Sequence, residues 1–220
     1  MERTALISVT DKSDLQELLE VLHNELKWTI LSSGGTFTHI TEKLGFKDRV
    51  WDTRSITGIT DKNDGKFGDY YPKGLVKTLH PKIHAGLLYG VPEDLDWMNR
   101  MGIRPIHLVV VNLYDFATAA ANPALTLEQV AEQIDIGGPS MLRSAAKGAL
   151  LHGNVIPVCN KEHYSIAAKE ARLIGEGKQE RWSRHTAAYF AEMAFAQTAE
   201  YDAAITGYLQ KRAREASASQ

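Results

Sequence analysis

Residues 76–90, "VKTLHPKIHAGLLYG", crowd a lysine, a threonine and two histidines around Pro81. His80 and His84 stand four residues apart, a spacing that on one helix face suits a zinc ion. Pro81 follows His80 directly, however, and the chain has neither an HExxH pattern nor a cysteine partner, which argues against a metal pair. Ile83, Leu87 and Leu88 anchor the segment inward and leave Lys77 and Thr78 facing a pocket. There Lys77 is a point charge for a phosphate or for a developing oxyanion.

Four further turns are polar in a coherent way. "SVTDK" (8–12) carries Thr10, Asp11 and Lys12. In "SSGGT" (32–36), Gly34 and Gly35 let backbone N–H groups converge, and the hydroxyls of Ser33 and Thr36 add donors. With a helix N-terminus behind it, that turn is an anion cradle, although many such turns bind nothing. "VNLYDF" sets Asn112 and Tyr114 just past the most apolar run. "QIDIGGPSMLRSAAK" places Asp135 ahead of a Gly137-Gly138-Pro139 turn that opens a helix, with Arg143 and Lys147 on one of its faces. A solvated basic face is the ordinary reading of such a pair. A helix otherwise small or apolar, opening beside a carboxylate, favours a site lining instead.

The elements that must position these turns alternate. "TALISV" reads as a strand, and Leu15, Leu18, Leu19, Leu22 and Leu26 then recur at helical spacing, with Ser13 and Gln16 as a capping box. "WTILS" is a second strand, followed by the helix "FTHITEKLG" closed at Gly45. "IHLVVVNLY" has the continuous β-branched character of a strand buried on both faces, and "NVIPVC" is a shorter one. Between them lie two helices, "TLEQVAEQI", capped by Thr126 and Gln129, and "SMLRSAAKGALL". This order predicts an α/β, three-layer fold with a parallel sheet, whose ligands collect at the carboxyl ends of the strands.

Two regions break the rhythm. Residues 52–74 are polar, glycine-rich and too long for an ordinary connection, as lids, binding loops and insertions are. From about residue 161 the chain is almost wholly helical, and Phe190, Ala194, Thr198, Tyr201, Ile205 and Tyr208 trace one face. The expected organisation is a core over 1–160 with a polar insertion, and a helical extension over 161–220 that packs on the core or on a second subunit.

The 220 residues are 44% hydrophobic and 24% charged with a net charge of −2, values that fit one soluble domain and no non-specific nucleic-acid binding. The lone Cys159 excludes an intrachain disulfide, fits a reducing compartment, and in "NVIPVCN" reads as a buried, inert thiol. The N-terminus lacks the features of a leader and no run reaches membrane-spanning length, so the expected location is cytoplasmic, with no membrane partner.

In their order and spacing, "SVTDK", "SGGT", "VKTLHPKIHAG", "VNLY", "QIDIGGPSMLRSAAK" and "AFAQTAEYDAAI" resemble the IMP cyclohydrolase domain of the bifunctional AICAR transformylase/IMP cyclohydrolase family. The resemblance implies a methylglyoxal-synthase-like fold with about five parallel strands. It also implies closure of 5-formamidoimidazole-4-carboxamide ribonucleotide to IMP with loss of water, the last step of purine synthesis, without metal or organic cofactor. Carried over by motif, Lys77, Tyr114, Asp135 and Lys147 are the implied catalytic groups. Ligand contacts are implied for Thr10, Asp11, Lys12, Ser33, Gly34, Gly35, Thr36, Val76, Thr78, Asn112, Ile136, Gly137, Gly138 and Arg143. In that reaction Asp135 accepts a proton, Lys77 with Tyr114 steadies the oxyanion, and Lys147 protonates the departing oxygen. A homodimer and a separate or fused formyltransferase are the implied partners.

The chain departs from the family pattern at Leu75, where the family has arginine, and at Asp115, where it has proline. The first removes a cation that Lys73 or Lys66 could replace, and the second adds a negative charge beside the oxyanion. Methylglyoxal synthase and a non-catalytic nucleotide-binding regulatory module are the competing readings. The first does not call for the "VKTLHP" and "DIGGP" signatures, and the second leaves Lys77, Asp135 and Lys147 without a role.

Overall fold

The computed structural model describes residues 2–58 and 78–218. Leu75, Val76 and Lys77, together with Lys66, Lys73 and most of the 52–74 excursion, lie outside the described residues. Five parallel strands form one sheet in the order β3-β2-β1-β4-β5: β1 (Thr4–Ser8), β2 (Thr29–Ser32), β3 (Val50–Asp52), β4 (Leu108–Val111) and β5 (Ile156–Val158). Four of these are the runs expected from the sequence. The fifth, β3, is a three-residue edge strand at the mouth of the excursion. Its half-exposed Trp51 is covered by the Arg104 guanidinium 4.6 Å above the ring.

The alternation of side chains along the strands makes two cores. Ala5, Ile7, Ile30, Leu108, Val110, Ile156 and Val158 face one side. There they meet α1 (Leu15–Leu19), with its wider continuation Glu20–Glu25, and α9 (Tyr164–Gly175). Leu6, Leu31, Val109 and Val111 face the other side, against α4 (Pro81–Leu88), α8 (Gly137–His152) and α10 (Arg184–Ala218). The three layers are those the sequence predicts. Small residues on α8 and α10, including Ala145, Ala146, Ala187, Ala191 and Ala194, let these helices approach the sheet closely. Phe190 of α10 joins the first core, while Tyr201 meets Phe116 and Val130 in a third, smaller cluster. Of the 161–218 stretch, α9 thus packs on the first core, while α10 runs along α8 and β5 and contributes to all three clusters.

The capping box expected at Thr126 and Gln129 opens α7 (Leu127–Ala131) with both reciprocal bonds, at 3.2 and 2.8 Å. The one expected at Ser13 does not form. The Asp11 carboxylate captures both the amide and the hydroxyl of Ser13, at 2.9 and 2.6 Å, and a left-handed Asp14 precedes α1 instead. Cys159 is buried, and burial pushes its thiol up to about 11, as befits an inert side chain.

At the amino-terminal end of the sheet, His107 joins β1 to β4. Its Nδ1 accepts from the Thr4 amide at 3.1 Å, and its carbonyl accepts from Trp182 Nε1 at 2.9 Å. The ring is 2% exposed, and burial pushes its pKa down to about 3. A depressed histidine takes up a proton on unfolding, so its contribution is present above about 6.5 and is lost as pH falls below that value. Urea unfolding between pH 7 and 5 should therefore show stability falling, with His107 adding a slope that approaches about 1.4 kcal/mol per pH unit. His107→Gln, which keeps an acceptor but cannot titrate, should remove that component. An unchanged slope would assign the acid sensitivity elsewhere.

Candidate active site

The strand order reverses its progression at β1, and the crevice outside such a switch point is where an open parallel sheet binds ligands. A cavity of 560 Å³ opens there. The turn after β1 lines it with Ser8, Val9, Thr10 and Lys12. The turn after β2 contributes Ser33, Gly34, Gly35 and Thr36, leading into α2 (Gly34–Thr38). Beyond β4 come Asn112 and Tyr114, and the start of α8 adds Asp135, Ile136, Gly137, Gly138 and Met141. Thr78 closes the ring of side chains from the turn before α4.

Each of these groups is committed in a particular way. Asn112 clasps the β1 turn: its Oδ1 accepts from the amides of Thr10 and Asp11, and its Nδ2 donates to the Asp11 carbonyl at 2.9 Å. The Thr36 hydroxyl accepts from the Val9 amide at 3.1 Å and donates to the Val9 carbonyl at 2.8 Å, which ties α2 to β1. Lys12 Nζ rests on the Thr10 carbonyl at 3.0 Å. Asp11 does not line the cavity. Its carboxylate is held by Ser13 and by Lys161 Nζ at 3.1 Å, and these bonds pull its pKa down to about 2.

Asp135 sits at the mouth of α8. Its Oδ1 accepts from the Gly138 amide at 2.9 Å. Burial raises its pKa, opposed by the N–H groups of Gly138 and Gly137. Neither glycine can be replaced without a shift. A Cβ on Gly138 would meet Asp135 Oδ2 and, at 2.7 Å, Leu113 Cδ2, while one on Gly137 would meet the Thr78 hydroxyl. Tyr114 is 43% exposed at the rim, and burial followed by the Asp135 charge raises its pKa. Its phenol therefore stays a donor.

The two histidines of the opening segment are used separately. His80 caps α4, its Nδ1 accepting from the Lys82 amide at 3.1 Å. His84 pairs with Ser144 Oγ at 2.8 Å and bonds the Thr78 backbone, fixing that turn against α8. Among the described residues, no three metal-ligating side chains gather. Asp115 turns away from the cavity to cap α6 (Phe116–Ala121), accepting from the Thr118 amide at 3.0 Å and its hydroxyl at 2.6 Å. The charge introduced at that position is thereby spent on a helix start.

Besides Asp11, two expected residues are not brought to the cavity within one chain. Arg143 and Lys147 line a separate depression with Leu88, Ser144, Leu150, Leu151 and Phe195. The Arg143 guanidinium lies 5.4 Å over the Phe195 ring. Lys147 is ten residues beyond Gly137, about 15 Å along the helix axis. Lys77 and Val76 are outside the described residues.

Sequence reasoning missed two residues that act on this site. Lys161, from the connection after β5, bridges Asp11 and the Ser13 hydroxyl, the latter at 2.8 Å. Tyr201 of α10 bonds the Asp135 backbone. Lys161 follows Asn160 in an otherwise unremarked turn, and nothing local signals a partner 150 residues earlier. Lys161→Ala should weaken binding of inorganic phosphate by up to about fivefold at low salt, because the Asp11 charge is no longer offset. Adding Asp11→Asn should restore it. Calorimetry showing equal affinity in all three proteins would remove Lys161 from the site.

The chain matches the family described as "MGS-like domain" over residues 15–140. It is 41% identical over 215 residues to the bifunctional purine biosynthesis protein PurH of Leptospira biflexa, covering 96% of this chain and 37% of that protein. It is 40% identical over 220 residues to the protein of that name from Desulfitobacterium hafniense, covering 100% of this chain and 38% of that protein. The chain spans less than two fifths of the length of these curated relatives. A solved structure described as "Crystal structure of ForH" superposes with a TM-score of 0.74 at 27% identity, over 95% of this chain and 100% of that one.

Proposed function

Since the chain belongs to the MGS-like domain family, we propose that it is an IMP cyclohydrolase, closing 5-formamidoimidazole-4-carboxamide ribonucleotide to IMP. The observation that carries this reading is the placement of Asp135. Its carboxylate stands at the start of α8 beside Tyr114, in the same cavity as the turn at 33–36. The cavity volume of 560 Å³ is within the range that holds a nucleotide. The purine-biosynthesis names of the relatives support the substrate class.

The phosphate is assigned to the backbone N–H groups at 33–36 with Lys12, and the imidazole carboxamide to the Asp135–Gly138 turn. Closure joins the carboxamide nitrogen to the formyl carbon. The formyl oxygen leaves as water, carrying one proton from the carboxamide nitrogen and one from the formamido nitrogen. Asp135 takes the first proton as the nitrogen attacks, and Tyr114, a donor at neutral pH, steadies the oxyanion. Lys77 keeps the second oxyanion contact assigned to it from the sequence. Within one chain Lys147 opens on a different depression, so the return of a proton to the departing oxygen is assigned to Asp135 itself. A carboxyl whose pKa is raised by burial holds a proton more readily than a solvated one. The formamido substrate must be supplied by a formyl transfer to an aromatic amine, and that step is assigned to a separate or fused enzyme.

A metal-free ultraviolet assay of IMP formation tests the reading. Lys77→Ala and Asp135→Asn should each lower kcat by about 10²- to 10³-fold. In the wild type, kcat should fall as pH drops through the raised pKa of Asp135, because a protonated carboxyl cannot accept the carboxamide proton. No IMP formation, with phosphate released from dihydroxyacetone phosphate, would replace this reading with a methylglyoxal synthase.

A further inference from the structure

Tyr201 is an enclosed polar group outside the cavity that bears on it. It is 7% exposed, on α10, with its ring against Phe116 at 6.1 Å between centroids. Its hydroxyl makes two long-range bonds. It donates to the Gln133 carbonyl at 3.0 Å and accepts from the Asp135 amide at 2.9 Å. One phenolic oxygen thus satisfies both backbone groups that flank Ile134, a stretch with no regular secondary structure of its own. The side chain of Asp135 is held separately, its carboxylate accepting from the Gly138 amide at 2.9 Å.

We propose that Tyr201 is a positioning residue for the reaction, holding the Asp135 backbone so that the carboxylate keeps its seat on the Gly137–Gly138 amides. The proposal rests on Asp135 being the proton acceptor, and it makes the long C-terminal helix part of the active-site apparatus. The physical chain is short. Without the hydroxyl, the Asp135 amide and the Gln133 carbonyl lose their partner in a part-buried place, and the loop must move to reach water. Movement of the Asp135 backbone lengthens the carboxylate's bonds to the two glycine amides. Those are the interactions that oppose the effect of burial. Among the described residues, the other ionisable side chains that line the same cavity are Tyr114 beyond β4, Glu132 after α7 and Lys12 on the β1 turn, and Tyr201 touches the Asp135 backbone from α10.

The test compares two substitutions on one helix. Tyr208 packs its ring on the same Phe116, at 5.8 Å. Tyr201→Phe and Tyr208→Phe each delete one hydroxyl and keep a ring in that cluster. The Asp135 carboxyl is titrated by carbon-detected magnetic resonance in the free protein, and IMP formation is measured beside it. In Tyr201→Phe the Asp135 titration midpoint should move upward, kcat should fall by about tenfold, and KM should stay within about twofold because the cradle at 33–36 is untouched. Tyr208→Phe should change none of the three. A Tyr201→Phe protein that melts earlier yet titrates Asp135 as the wild type does would reduce the residue to packing and overturn the proposal. A shifted midpoint in a protein whose wild type forms no IMP would leave the positioning role standing and remove the cyclohydrolase reading. In the wild type alone, the Asp135 amide should exchange slowly with solvent. Exchange at the rate of an open loop would contradict the bond to Tyr201 without recourse to any variant.

Discussion

A carboxylate half-withdrawn from water at the start of a helix is the constraint around which this end of the molecule is arranged. Burial destabilises the charged form of Asp135, and the neighbouring amides of Gly138 and Gly137 offset part of that cost. The amides can come close enough only because neither residue carries a Cβ. One side of the turn is occupied by the carboxylate and Leu113, the other by the Thr78 hydroxyl. The remaining contacts follow from keeping that turn in place. His84 ties the Thr78 turn to α8 through Ser144, and Tyr201 reaches from α10 to the Asp135 amide. Three helices distant in sequence therefore converge on one carboxyl group.

The opposite wall solves a different problem. A turn meant to receive an anion must hold its N–H groups open without the ligand's help. Here the turn at 33–36 is fixed by the two bonds of the Thr36 hydroxyl to Val9, and the neighbouring β1 turn is fixed by Asn112, which binds three of its backbone groups. Polar side chains that sequence reasoning assigns to the ligand are thus spent, in part, on the protein itself. Pre-ordering of this kind reduces the entropy lost on binding. Lys161 serves the same wall by compensating Asp11, a carboxylate that would repel an anion.

Much of this was legible in the sequence, for identifiable reasons. Continuous apolar runs announced β1, β2, β4 and β5, and the polar turns that follow β1, β2 and β4 announced the cavity. Strand β3 was hidden because three half-exposed residues carry no period. Ser13 looked like a cap because pattern alone cannot show that Asp11 would capture its hydroxyl. Asp115 looked like a liability near the oxyanion, yet its carboxylate is turned into the first turn of α6. Arg143 and Lys147 do share a helix, as their spacing promised. Helix rise then carries Lys147 away from the cavity, a consequence that a motif read as a string does not display. Tyr201 was read as packing, which its ring does. The work of its hydroxyl depends on a contact 66 residues away that no local pattern encodes.

A crystal structure with IMP bound is the most direct test of the ligand arrangement proposed for the cavity. The arrangement predicts the phosphate against the backbone amides at 33–36, and the purine edge beside Asp135 and the Gly137–Gly138 turn. A nucleotide seated instead in the depression between Arg143 and Lys147, with the cavity at the sheet's switch point empty, would contradict it.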